Sequence, residues 1–191
     1  MDKVSIGNNA FIFPMPIVLV GTQAMGKANF MAVGWVSRAN ASPPMIAVMI
    51  NKSHYTTPFI VENGTFSVCA PSAGMREKVD YCGLVSGEKV DKSKLFDVFY
   101  GALKTAPMIR ECPLCIECRL VKAVELPTND IFIGEIAASY ADARCLTDGK
   151  PDFKKVDPLL LTMPDNGYWT LGARVGKAWS DGKRLMKAAD K

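Results

Sequence analysis

Seven consecutive residues, Asn51-Lys52-Ser53-His54-Tyr55-Thr56-Thr57, concentrate polar chemistry between an apolar run that ends at Ile50 and a segment that reads as a helix. A helix N-terminus carries partial positive charge and unsatisfied N–H donors. Hydroxyls and an ammonium beside it add directed bonds and a full charge, so Asn51, Lys52, Ser53, His54, Thr56 and Thr57 together suit a phosphate. The same residues also suit a plain helix cap made by Thr56 or Thr57, with Lys52 and His54 solvated, and composition leaves the two readings level. His54 is the only histidine in the chain, which argues against a multi-histidine metal centre. No nucleophile motif accompanies it.

A second cluster is Cys112-Pro-Leu-Cys115-Ile-Glu-Cys118. Its spacing matches part of an iron-sulfur ligand run, and an iron-sulfur protein using Cys112, Cys115 and Cys118 is one alternative reading. Against it, the next cysteine is Cys145, and Leu114 to Leu126 reads as a strand, on which Cys115 and Cys118 point to opposite faces. The plainer reading is small buried side chains. Cys82 stands at the end of a predicted helix. It is a weak candidate for redox work at a cofactor, because the negative end of a helix holds a thiol protonated.

The elements that must position these groups are mostly short strands with turns between them. Pro16–Thr22 and Ala28–Val33 flank Gln23-Ala24-Met25-Gly26-Lys27, a hairpin with Gly26 at the position that needs positive φ. Met45–Ile50, apolar on both faces, is expected as a central strand. Thr65–Ala70 is a fourth, and Cys115–Leu126 and Ile131–Tyr140 pair as fifth and sixth across Pro127-Thr128-Asn129-Asp130. Three helices interrupt them. The first is capped by Thr57 with Pro58 at its first position and ends at Gly64. The second runs over Met75–Cys82 and stops at Gly83, and the third covers Ser93–Tyr100. The expected fold is mainly β with inserted helices, a six-stranded antiparallel barrel, since closure removes exposed edges.

Length and composition bound the function. A chain of 191 residues reads as a single domain, residues 1–191, with a basic extension from about residue 168. No apolar run nears the roughly 18 residues of a membrane helix, so no membrane partner is expected. A net charge of +4 without a basic stripe gives no nucleic-acid reading. The N-terminus lacks a signal peptide's apolar segment, so the expected location is cytoplasmic with reduced thiols. In the extension, Arg174, Lys177, Lys183, Arg184, Lys187 and Lys191 face only Asp181 and Asp190 in number. A surface for nicotinamide phosphates or an acidic redox partner, helped by Trp169 or Trp179, is one reading. A solvated terminal helix is the favoured one.

Several blocks, taken in order, carry a resemblance: Asn29-Phe30-Met31-Ala32-Val33-Gly34-Trp35-Val36-Ser37, Ser42-Pro43-Pro44-Met45-Ile46, Asn51 to Thr56, Asp80-Tyr81-Cys82-Gly83, Ser86-Gly87 and Asp91-Lys92. Between about Pro14 and Tyr140 the chain resembles the flavin reductase-like family of FMN-binding split barrels, and within it is similar to the flavoredoxin branch. The resemblance implies a six-stranded split barrel that forms a homodimer and binds one FMN per protomer. It implies that Asn51, Lys52, Ser53, His54 and Thr56 or Thr57 hold the flavin phosphate. Asn29, Phe30 and Met31, with Trp35, Val36 and Ser37, would lie along the ring and ribityl chain, and Tyr81, Cys82, Gly83 and Ser86 would approach from the other side.

Flavin carries the redox chemistry itself, so the protein need only position the ring, tune it and leave one face open. Two functions follow from the resemblance: an electron carrier of flavoredoxin type serving redox proteins, or an NAD(P)H-dependent flavin or ferric reductase. No G-x-G-x-x-G motif follows a strand, so no dedicated nicotinamide domain is expected in these residues. A third reading, a cofactor-free interaction domain on the same barrel, follows if the phosphate seat is only a helix cap.

Overall fold

A computed structural model describes residues 1–12, 14–183 and 185–186. Among them the main sheet has seven strands: β1 (Val18–Ala24), β2 (Lys27–Val33), β3 (Val36–Asn40), β4 (Met45–Asn51), β5 (Thr65–Ala70), β6 (Leu114–Glu125) and β7 (Asn129–Ala141). They run in the order β2-β1-β5-β6-β7-β4-β3, every neighbouring pair antiparallel. The edge strands β2 and β3 are consecutive in the chain, linked by Gly34 and Trp35 alone. So short a link between opposite ends of a seven-stranded sheet requires the sheet to curl round on itself. Among the described residues no ladder joins β2 to β3, so the barrel is split there.

Strand alternation divides the apolar residues into two layers. Val20, Val48, Ile50, Phe66, Cys118 and Phe132 fill the barrel. Leu19, Phe30, Cys69 and Cys115 point outward and pack under Val79, Phe96, Met108 and Ile109. Cys115 and Cys118 therefore lie on opposite sides of the sheet, and the pair cannot ligate one cluster, which removes the iron-sulfur reading.

The mainly β barrel with inserted helices is as expected, and the differences are local. The seventh strand, β3, has the sequence VSRAN and is exposed after Val36, so it lacks the apolar alternation that marks a strand. β4 lies between β7 and the edge strand β3; only Ile46, Val48 and Ile50 are buried, while Met45, Ala47 and Met49 are half-buried on the outer face. The first hairpin turns on Met25 and Gly26, at φ 50 and 76, because a two-residue turn that matches strand twist needs positive φ at both positions.

Helix α1 (Thr56–Asn63) starts two residues earlier than a Thr57 cap allows. Tyr55 occupies the cap position without a side-chain bond, and the Thr57 hydroxyl donates back to Asn51 O at 3.1 Å. Gly64 closes the helix at φ 61, as expected. Helix α2 (Arg76–Leu84) passes through Gly83, and Val85 N–H caps it on Tyr81 O. The helix expected over Ser93–Tyr100 is one 3-10 turn, Lys92–Leu95, followed by a strand, Val98–Phe99, paired with Met108–Ile109. Phe96 leaves that turn extended and drops into the outer core, and this breaks the helical path.

After the barrel, Leu160–Thr162 pairs with both Met15–Pro16 and Gly167–Trp169. The Tyr168 hydroxyl donates to Asp80 of α2 at 3.0 Å. The extension thus begins as a strand rather than a helix; Arg184, Lys187 and Lys191 lie outside the described residues. No described helix is long and apolar enough to cross a membrane.

Candidate functional site

The chain places a cleft of about 250 Å³ where three elements meet. Ser53, His54, Tyr55 and Thr56 come from the turn into α1, Met31 and Ala32 from β2, and Cys82 to Gly87 from the end of α2, with Lys92 at the wall. A second cleft of about 330 Å³ adjoins it, sharing Tyr55, Gly87 and Lys92 and adding Asn29. A larger groove of about 1450 Å³ between residues 147–157 and 171–182 is lined by Lys150, Lys154, Arg174 and Lys177 and shares none of these residues.

The turn into α1 is built by Asn51. Its side-chain oxygen accepts from Ser53 N–H at 3.0 Å and from the Ser53 hydroxyl at 2.8 Å, and its carbonyl accepts from His54 N–H at 3.1 Å. These bonds fix the chain so that Tyr55 and Thr56 begin the helix with N–H groups that have no acceptor among the described residues. Asn29 Nδ2 donates to Thr56 Oγ1 at 2.9 Å and anchors that end of the helix to β2. Gly87 lies against this pair: a Cβ there would overlap Asn29 Oδ1 and stand 3.0 Å from the Tyr55 ring.

The cation of the cleft is Lys92, 3% exposed. Its ammonium donates to Cys82 O at 3.2 Å and Val85 O at 3.1 Å, carbonyls at the C-terminal end of α2, where a cation is favoured. No carboxylate is paired with it among the described residues. Burial pulls the Lys92 ammonium below its ordinary value, while the Cys82 thiol acts in the opposite sense. Burial raises Cys82 to about 11, with Lys92 holding it down in part.

Of the residues singled out in sequence, Met31, Ser53, His54, Thr56, Cys82, Gly83 and Ser86 line the cleft, and Asn29 lines its neighbour. The others stand elsewhere. Phe30 is fully buried beneath, edge-on to Phe96 at 5.6 Å. Asn51 and Thr57 build the turn rather than face the cleft. Trp35 is 41% exposed beside the split and Tyr81 38% exposed on α2. Val36 packs on the barrel interior, and the Ser37 hydroxyl donates to Arg38 O on the outside.

Lys52 is turned to the β6–β7 hairpin, 3.6 Å from Asp130 Oδ1 and 3.7 Å from Glu125 Oε2. Apart from that ion pair, Asp130 Oδ1 is buried without a hydrogen bond. The groups missed in sequence are Lys92, Tyr55 and Gly87. The Asp91-Lys92 and Ser86-Gly87 pairs are among the blocks that carry the resemblance, but nothing local to them signals a buried ammonium or a close backbone approach.

Residues 10–160 match the family described as flavin reductase like domain. The structure is similar to that of flavoredoxin from Methanosarcina acetivorans, with 62% identity, 97% of this chain and all of that one covered, and a TM-score of 0.95. Flavoredoxin of Desulfovibrio vulgaris (Miyazaki F) shares 37% identity over 95% of this chain and all of that one, at a TM-score of 0.88. A ferric-chelate reductase (NAD(P)H) of Archaeoglobus fulgidus is 26% identical over 136 residues, 69% of this chain and 79% of that protein.

Proposed function

The chain belongs to the flavin reductase like domain family, and from that premise we propose that it holds FMN in the paired clefts and passes electrons through it as a carrier of flavoredoxin type. The observation that carries this reading is the cleft's pairing of a buried, carboxylate-free ammonium at Lys92 with free N–H groups at Tyr55 and Thr56. Such a cleft suits an elongated anion with one charged end and a polar ring edge. The cofactor-free reading makes Lys92 only a cap on the carbonyls that end α2, a buried charge with no anion beside it.

In this reading Ser53, His54, the Thr56 hydroxyl and the N–H groups of Tyr55 and Thr56 seat the phosphate. Lys52 lines neither cleft and joins them only by leaving Asp130. Lys92 puts a positive charge beside the ring, the end of α2 from Cys82 to Ser86 forms one wall, and Gly87 keeps that wall close to Asn29. FMN, when bound, supplies the electron chemistry; the chain's residues bind it, orient it and leave one side open.

A second reading, a reductase drawing electrons from NADH or NADPH, is supported by the likeness to the ferric-chelate reductase. A homodimer belongs to the proposal as well: Ala47, Met49, Val124, Ile131 and Ile133 are neighbours on the outer face of β4, β6 and β7 and are left half-buried, an apolar strip suited to a second copy.

Titration of the purified protein with FMN tests the main reading. Quenching of flavin fluorescence at a stoichiometry of one per protomer is the expected result; absence of binding overturns it. Mixing the loaded protein with NADH or NADPH without oxygen separates the two roles. Rapid loss of visible flavin absorbance identifies the reductase, and no loss with either nucleotide leaves the carrier.

A further inference from the structure

Three of the thiols share one buried place in the outer core, a grouping that the flavin site does not use. Cys69 on β5 and Cys115 on β6 are directly opposite partners in an antiparallel ladder. Cys112 reaches them through the turn closed by Cys112 N–H on Ile109 O at 3.1 Å. All three belong to the same core cluster, at 0% exposure for Cys69, 2% for Cys115 and 5% for Cys112, and all are free.

Geometry favours one pairing. Directly opposite residues of an antiparallel pair have Cα atoms about 4.5 or 5.5 Å apart, and both values fall inside the roughly 4.4–6.8 Å that a disulfide accepts. Cys112 and Cys115 bracket Pro113-Leu114 in a C-x-x-C spacing, so a second partner for Cys115 lies within reach along the chain. The Cys115 thiol donates to Ile109 O at 3.3 Å, and Ser67 Oγ stands 3.9 Å from Cys69 Sγ.

Burial works against a charge on Cys69, but hydrogen bonds from Cys112, Cys115, Ile109 and Ser67 outweigh it and hold its thiol below the ordinary value. Cys112 is pushed up, first by its bond to Cys115. Cys115, although a bond from Cys112 lowers it, is pushed up by its bond to Cys69 and by burial. Of the three thiols, Cys69 is thus the one held below its ordinary value, with Cys112 and Cys115 raised beside it.

We propose that Cys69 and Cys115 form a reversible cross-strand disulfide on exposure to a hydroperoxide, with Cys112 exchanging into the bond, a redox site separate from the flavin cleft. With hydrogen peroxide, Cys69 sulfur gives up its proton and attacks one peroxide oxygen: an S–O bond forms, the O–O bond breaks, and the departing hydroxide takes the Cys69 proton to become water. Cys115 sulfur then attacks the Cys69 sulfenic acid; the S–S bond forms, the S–O bond breaks, and the second hydroxide leaves as water with the Cys115 proton. Two thiols lose two electrons, and the peroxide gains them. All three thiols are buried, and burial makes the reaction slow.

The test treats the full-length, FMN-loaded protein with hydrogen peroxide, then alkylates it in denaturant and maps its peptides. The expected result is a mass decrease of about 2 Da before alkylation and loss of two of the six alkylatable thiols after it, reversed by dithiothreitol, and a Cys69–Cys115 link at the earliest times. Cys118→Ser keeps the link, and Cys69→Ser abolishes it. Should Cys69→Ser fold poorly, the wild-type peptide map decides alone. The proposal is overturned if all six thiols stay alkylatable, if mass gains of sulfinic acid appear without a link, or if the first link joins Cys112 to Cys115 or involves Cys82, Cys118 or Cys145.

Discussion

Asn29 of β2 donates from Nδ2 to the Thr56 hydroxyl at 2.9 Å, joining a barrel strand to the first residue of α1 with both partners buried. Asn29→Ala leaves the Thr56 hydroxyl buried without its donor, a cost of about 1–3 kcal/mol, and frees the helix end that lines the cleft. Urea denaturation will show the stability loss, and a fluorescence titration of the same variant will show weaker FMN binding.

Gly87 tests whether the wall of the cleft must come that close. An added Cβ overlaps Asn29 Oδ1 and approaches the Tyr55 ring, so Gly87→Ala has to push Asn29 or the wall aside. The expected variant folds with a far-ultraviolet circular dichroism spectrum like that of the wild type, yet binds FMN at least tenfold more weakly. Wild-type affinity would remove Gly87 from the site.

Two lysines offer a direct comparison. Lys92 is buried against two carbonyls, whereas Lys52 is partly exposed and 3.6 Å from Asp130. Lys92→Met removes the cleft's cation. A charge-assisted bond is worth about 1.5–3 kcal/mol, which corresponds to an affinity loss of roughly 10- to 150-fold. Lys52→Ala has the smaller effect on FMN and the clearer one on folding, since it strands the buried Asp130 oxygen. Melting temperature and FMN titration, run on both variants, check the order.

What could be read in the sequence was local. The turn at Gly26, the end of α1 at Gly64 and the long β6–β7 pair are each specified by neighbours in the chain, and so are the donors at Ser53, His54 and Thr56. What escaped depends on distant partners. Lys92 is satisfied only by carbonyls at the end of another helix, and Lys52 turns toward acids on a hairpin far along the chain. β3 is polar because it is an edge strand at the split, so its pattern resembles a loop. The helix expected at Ser93–Tyr100 rests on Lys94 and Leu95 alone as strong helix formers, and burying Phe96 in the outer core ends it after one turn.

Glu117 is another group that only the fold explains. It is fully buried, with Oε1 accepting from Ala102 N–H at 3.0 Å and the Tyr140 hydroxyl at 2.8 Å, and Oε2 from Leu103 N–H at 2.8 Å. The carboxylate staples the loop after Val98–Phe99 to β6 and β7. Glu117→Gln sets an amide N–H against a backbone or hydroxyl donor and costs about 1–3 kcal/mol, and Glu117→Leu strands both loop N–H groups and costs more. Urea denaturation ranks the two variants, and hydrogen exchange at Ala102 and Leu103 reports whether the loss begins in the loop.

Cys82 connects the cleft to pH. Its thiol, raised by burial to about 11, is protonated through the neutral range, so iodoacetamide labels it slowly at pH 8 and roughly tenfold faster for each pH unit above that until about 11. While Lys92 keeps its proton its charge favours the thiolate, so Lys92→Met slows labelling at the lower end of the range, and the difference fades as Lys92, itself lowered by burial, loses its charge. Bound FMN protects the thiol, because Cys82 lines the cleft. Mass spectrometry of the Cys82 peptide across pH 8–11, with and without FMN and in both proteins, measures all three effects. A profile centred near 8.5, the value of an unperturbed thiol, would place Cys82 in water and take the end of α2 out of the wall.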